Sequence, residues 1–122
     1  MFKVFYYKNS RGESSVGDYI QRLGEKDNKD SRIKLNKIRN YIKYLRHEGK
    51  QAKEPYAKHL DGEIWELRPT RDRMLYAAWD NESFILLHHF MKQTQKTPQR
   101  EVEQAKRNLA DYRERSEEHE SE

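Results

Sequence analysis

The chain has 122 residues, 34% of them apolar and 38% charged, with a mean hydropathy of −1.32. That length holds one domain around one core, and a net charge of only +4 with 14 aromatic residues, eight of them Tyr, argues against a disordered chain. The lack of cysteine excludes disulfides, thiolate zinc sites and cysteine nucleophiles; no run approaches the roughly 20 apolar residues of a membrane span and residues 1–8 lack a signal core, so a small cytosolic domain is expected.

Phe2 to Tyr7 is rich in aromatic and β-branched residues and runs into the turn cluster Asn9-Ser10-Arg11-Gly12, which marks a strand and its end. Ser14 or Ser15 can cap a helix in which Val16, Tyr19, Ile20 and Leu23 form one apolar stripe. Gly24 weakens or ends it, and Asp27 or Asn28 supplies the next cap. Leu35, Ile38, Ile42 and Leu45, widened by Tyr41 and Tyr44, make the buried face of a longer helix. Arg32, Lys34, Lys37, Arg39 and Lys43 fall mostly on its other faces, and Gly49 stands at the expected C′ position. The short connection predicts an antiparallel αα-hairpin.

The second half changes period. After the turn Asp61-Gly62, residues 64–68 alternate as a strand; residues 69–72 form a turn, 73–79 the next strand, and Asp80-Asn81 a second turn. Residues 83–91 are nearly all apolar, as a strand covered on both faces would be. Thr97-Pro98 reads as N-cap and first residue of a last helix with Val102, Ala105, Leu109 and Tyr112 in its buried stripe. The order βααβββα predicts an α+β fold: a twisted, mainly antiparallel sheet with the αα-hairpin and the C-terminal helix on one face.

Charge is uneven along the chain. Residues 114–122 carry five Glu against one Arg, a net of −4, and are expected to be a frayed or disordered acidic tail. The domain, residues 1–113, keeps 24 basic and 16 acidic residues, a net of +8. A basic body favours phosphate-bearing or acidic partners, although solubility alone is sufficient reason for it.

The chemistry that remains is cationic and sits at strand ends. Arg68 closes one strand, Arg71 and Arg73 belong to the following turn and strand, and Lys92 and Lys96 follow the last strand. Antiparallel order brings the end of the third meander strand near the start of the second, so Arg68, Arg73 and Lys92 can share a pocket. Arg68 and Arg73 would then oppose each other, a repulsion that a bound anion relieves. Such a pocket suits RNA cleavage without a metal, in which the 2′-OH attacks its own 3′-phosphate. Arginine gives planar, bidentate anion recognition, and cations fixed at developing charge are the largest contribution to such catalysis. His88, on the same strand parity as Lys92, titrates near neutrality and can act as acid or base. Tyr76 can position a base or the phosphate. His88 and His89 are neighbours on a strand, point to opposite faces and cannot chelate one ion; neither a metal nor a cofactor is expected.

Each of these residues also has a structural reading. Arg68 can pair with Glu66, Arg71 can be a solvated turn residue, and His88 or Tyr76 can be core. His89 reads as structural, and Trp65 and Trp79 as packing residues.

The segments HLDGEIWELRPTRDRMLYAAW, FILLHHFMKQTQKTP and EVEQAKRNLADY resemble the HigB-like, phage-derived toxin branch of the RelE/ParE superfamily. The matching motifs are Leu60-Asp61-Gly62, Trp65-Glu66-Leu67-Arg68, Arg73 to Tyr76, and Leu87 to Pro98. The resemblance implies a RelE-like fold and an mRNA interferase that halts translation, generally on messages in the ribosome. It also implies a HigA-like helix-turn-helix antitoxin, with operator DNA bound through the toxin–antitoxin complex. The family's basic strand-end residues carry over onto Arg68, Arg73, Lys92 and Lys96. Two positions depart from the pattern: Gln93 replaces the second lysine of a pair, and His89 stands where a small residue is usual. Two alternatives share these features: a non-enzymatic toxin of the same fold that blocks a protein target such as gyrase, and a plain nucleic-acid-binding partner.

Overall fold

The structure, a computed structural model, describes residues 1–121, with side chains described through residue 117. Strand β1 (Lys3–Tyr6) leads into helices α1 (Ser15–Glu25) and α2 (Lys29–Glu48), and a single 3-10 turn (Gly49–Gln51) follows. Strands β2 (Ala57–Asp61), β3 (Ile64–Leu67), β4 (Asp72–Ala78) and β5 (Ser83–Met91) come next, then helix α3 (Gln99–Ser121). They form one sheet in the order β1-β5-β4-β3-β2, antiparallel except for the parallel pair β1 and β5. The α+β class and the RelE-like arrangement are as the sequence predicts.

Local chemistry sets the helix boundaries. The Ser14 hydroxyl accepts the Gly17 N–H at 3.0 Å while Asp18 takes the Ser14 N–H at 3.0 Å, a reciprocal cap for α1. Asn28 caps α2 by accepting the Ser31 N–H at 2.8 Å. Helix α2 buries Leu35, Ile38, Ile42 and Leu45, the stripe read from the sequence. It stops at Gly49, whose φ of 58° suits glycine and whose N–H returns to the Leu45 carbonyl. A Cβ there would lie 2.2 Å from the Phe2 ring.

Three features differ from expectation. The meander has a fourth strand, β2, which lines the outer edge of β3 and contains an irregularity between His59 and Asp61. The helices are divided between the faces of the sheet instead of sharing one. Residues of α1 and α2 pack with Met74, Tyr76, Phe84 and Leu86, whereas Ala105 and Leu109 of α3 pack with Leu75, Ala77, Ile85 and Leu87. An apolar stripe shows that a helix is covered, but not which side of a sheet covers it. Thr97 does not cap α3; its hydroxyl is given to Glu66, and the Pro98 carbonyl receives the N–H groups of Glu101 and Val102. The helix then continues unbroken through residues 114–121. Of the segment expected to be an acidic tail, the side chains of residues 118–122 lie outside the described residues.

A bulge sets the parity of β5. Leu75 faces His88 but Tyr76 faces Leu86, so Leu87 is the extra residue. Leu87 and His88 therefore both turn towards α3, and His88 shares its face with Leu87 instead of Leu86. Beyond the bulge the ends of β3 and β5 and the start of β4 meet at one rim, where the Lys92 N–H donates to the Arg71 carbonyl at 2.8 Å.

Candidate active site

At that rim lies a cavity of about 230 Å³ between the sheet and the start of α3. Arg68, Arg73, Lys92 and Lys96 all line it, joined by Arg100 and by two carboxylates, Glu66 and Glu101. The spacing argument thus brings its cations together. Arg73 is the second residue of β4, on the α3 face, and its Nη1 donates to the carbonyls of Thr70 at 2.7 Å and Asp72 at 2.9 Å. Thr70 carries a φ of 50°, an uncommon conformation outside glycine, and this turns its carbonyl towards the guanidinium. Burial draws the Arg73 pKa down, and the Glu66 carboxylate opposes that pull; the group remains a cation. Arg68, just past β3, is a quarter exposed and lies 3.5 Å from Glu66 and 3.6 Å from the exposed Glu54.

Lys92, Lys96 and Arg100 have no ion-pair partner among the described residues, so the cavity holds a surplus of positive charge. Preorganised cations with one carboxylate between them form a receptor for an anion of phosphate size. Arg71 is exposed, donates to the Lys92 carbonyl at 3.3 Å, and lines an adjoining cleft with Thr70, Arg73 and Lys92. That cleft extends the positive track away from the cavity.

His88 stands one layer behind. Its Nε2 lies 2.9 Å from Oε1 of Glu101, and Glu101 rather than His88 lines the cavity. His89 points to the other face, as strand alternation requires, where it stacks on Tyr19 at 3.7 Å between ring centroids and lies 2.9 Å from Asp72. Tyr76 does not join the site. It is buried on the α1–α2 face against Phe84, and its phenol borders an apolar cavity with Trp65 and Ala52. The even-numbered residues of β4 face the hairpin, so Tyr76 and Arg73 diverge.

Glu101 and Arg100 escaped the sequence reading, Thr97 was read only as a helix cap, and Glu66 was weighed only as a partner for Arg68. The signal for them was the first turn of α3, which directly follows the basic loop. No helix among the described residues is long and apolar enough to cross a membrane. No curated protein matches the sequence. Residues 18–110 match the family described as phage derived protein Gp49-like (DUF891). That match spans α1 to the middle of α3 and every residue of the cavity, so the chain belongs to this phage-derived, Gp49-like family of toxin-like proteins.

Proposed function

We propose that the protein is the toxin of a type II toxin–antitoxin system, an endoribonuclease that cleaves messenger RNA and thereby arrests translation and growth. The observation that carries this reading is the convergence of Arg68, Arg73, Lys92, Lys96 and Arg100 on one cavity that also holds Glu101. The 2′-oxygen forms a bond to its adjacent phosphorus, the bond to the 5′-oxygen breaks, and a 2′,3′-cyclic phosphate and a 5′-hydroxyl result. Arg68 and Arg73 hold the phosphate and stabilise the charge that grows on it. Glu101, oriented by His88, accepts the 2′-hydroxyl proton, and the Lys92 ammonium gives a proton to the departing 5′-oxygen. Arg71 and Lys96 hold flanking phosphates. In this reading the protein works in the cytoplasm on ribosome-bound messages. A HigA-like helix-turn-helix antitoxin neutralises it, and operator DNA is reached through that complex.

The test is cleavage of defined RNA with and without ribosomes in the presence of EDTA. It is paired with primer extension on messages from cells expressing wild type or Arg73→Ala. The expected result is cleavage and growth arrest by wild type alone, with cleavage surviving the chelator. Growth arrest with intact messages and altered DNA supercoiling would instead identify a toxin that blocks gyrase.

A further inference from the structure

Resting on that reading, we propose that Glu66 is the positioning residue that assembles both walls of the cation cluster, joining Arg68 and Arg73 through one carboxylate oxygen and the 92–97 loop through the other. Glu66 is 2% exposed, in the middle of β3 on the α3 face. Its Oε1 is 3.5 Å from Nε of Arg68 and 3.7 Å from Nε of Arg73, and its Oε2 accepts the Thr97 hydroxyl. A carboxylate buried to this degree is costly unless it is paired, and here three partners share it.

The arrangement has a direction. Both guanidiniums approach Glu66 through the Nε edge. Nη1 of Arg73 is held by backbone carbonyls and Nη1 of Arg68 is nearest Glu54. The side-chain hydrogen bonds of Arg73 among the described residues use Nη1, which leaves its Nη2 as the donor for a ligand. One negative charge between two positive ones leaves the pair cationic, so Glu66 reduces their mutual repulsion without neutralising the receptor. Thr97 ends the loop that carries Lys92 and Lys96, both of which line the cavity. Fastening Thr97 to Glu66 therefore fixes the lysine wall against the arginine wall. Glu66 touches no substrate in this scheme; it acts through the four cations.

Glu66→Gln keeps the shape and a hydroxyl acceptor but removes the charge that holds the arginines. In single-turnover cleavage of a defined RNA it is expected to lower kcat by about 10²-fold, comparable to losing one preorganised charge contact. Affinity for a 2′-O-methyl RNA that cannot be cut should stay within about threefold. The double variant Glu66→Gln with Arg73→Ala should fall by clearly less than the product of the two single losses, because residues that act as a unit are not additive. Thr97→Val, a change at a half-buried loop end, should lower kcat by a smaller factor and cost some thermal stability, because the buried Glu66 Oε2 loses its hydroxyl donor. An active wild type with full kcat in Glu66→Gln, or an additive double variant, overturns this role and leaves the functional reading standing. A folded wild type that cleaves no RNA overturns both. Should Glu66→Gln fail to fold, unchanged kcat in Thr97→Val overturns the link between the walls.

Discussion

Nε2 of His88 lies 2.9 Å from Oε1 of Glu101, so a strand residue beyond a bulge and a residue in the first turn of α3 meet behind the cavity. Both side chains are less than one-fifth exposed. In the proposed reaction the imidazole fixes one carboxylate oxygen and leaves the other for the 2′-hydroxyl. Glu101→Gln should lower kcat by about 10²-fold or more, the range for removal of a positioned base, with binding of uncuttable RNA little changed. His88→Ala should cost less, since Glu101 remains. Single-turnover rates for the two variants check the order; a larger loss in His88→Ala would place the proton on the imidazole.

RNA binding should be steeply salt-dependent. Lys92, Lys96 and Arg71 face solvent-accessible clefts without a carboxylate partner among the described residues. Each phosphate contact on a single strand contributes about 0.7 to the slope of log affinity against log salt. Lys96→Ala should lower that slope by roughly this amount, without altering the preferred cleavage sequence. Titration of 2′-O-methyl RNA at several salt concentrations measures it.

Acid stability should depend on Asp72. This carboxyl is 1% exposed, and burial alone would raise its pKa. Against burial, hydrogen bonding from His89 and Tyr19 and the positive charges of His89 and Lys34 together hold it below the usual carboxylate range. A carboxyl depressed in the folded state supplies stability above its unfolded value of about 3.9. That contribution is lost as pH falls through the lower folded value. Asp72→Asn should therefore be less stable at neutral pH by about 1–3 kcal/mol, and the gap to wild type should narrow on acidification. Urea unfolding between pH 7 and pH 3 reads both effects.

Gly49→Ala should destabilise the fold. The residue combines φ 58° with a Phe2 ring atom 2.2 Å from an added Cβ. Backbone strain alone costs about 1–3 kcal/mol. Phe2→Ala removes the collision but not the strain, so Gly49→Ala should cost less thermal stability in the Phe2→Ala background than in wild type.

Much of this molecule was legible where periodicity or turn chemistry carried the information. The stripe from Leu35 to Leu45 and the stop at Gly49 were legible, each cap was narrowed to two neighbours of which Ser14 and Asn28 serve, and spacing permitted the convergence of Arg68, Arg73 and Lys92. Strand β2 was not legible, because Ala57-Lys58-His59-Leu60-Asp61 lacks β-branched residues and lies at an edge with a break in its register. The facing of His88 depended on a bulge, a one-residue offset that alternation along a strand cannot disclose. Glu101 required knowing that α3 covers the face that also carries Arg73.

Strand β1 pairs with β5, so Lys3 meets Ser83 and the first strand joins the sheet last in connectivity. Closing so long a loop costs more chain entropy than the hairpins of β2 to β5. Those hairpins can form while β1 is still searching. The cavity needs a later segment still, Thr97 to Glu101, after every strand is made. In the proposed reading, a polypeptide halted just short of Glu101 would contain every strand of the sheet but an unfinished cavity, so the receptor for RNA would be completed only after the sheet.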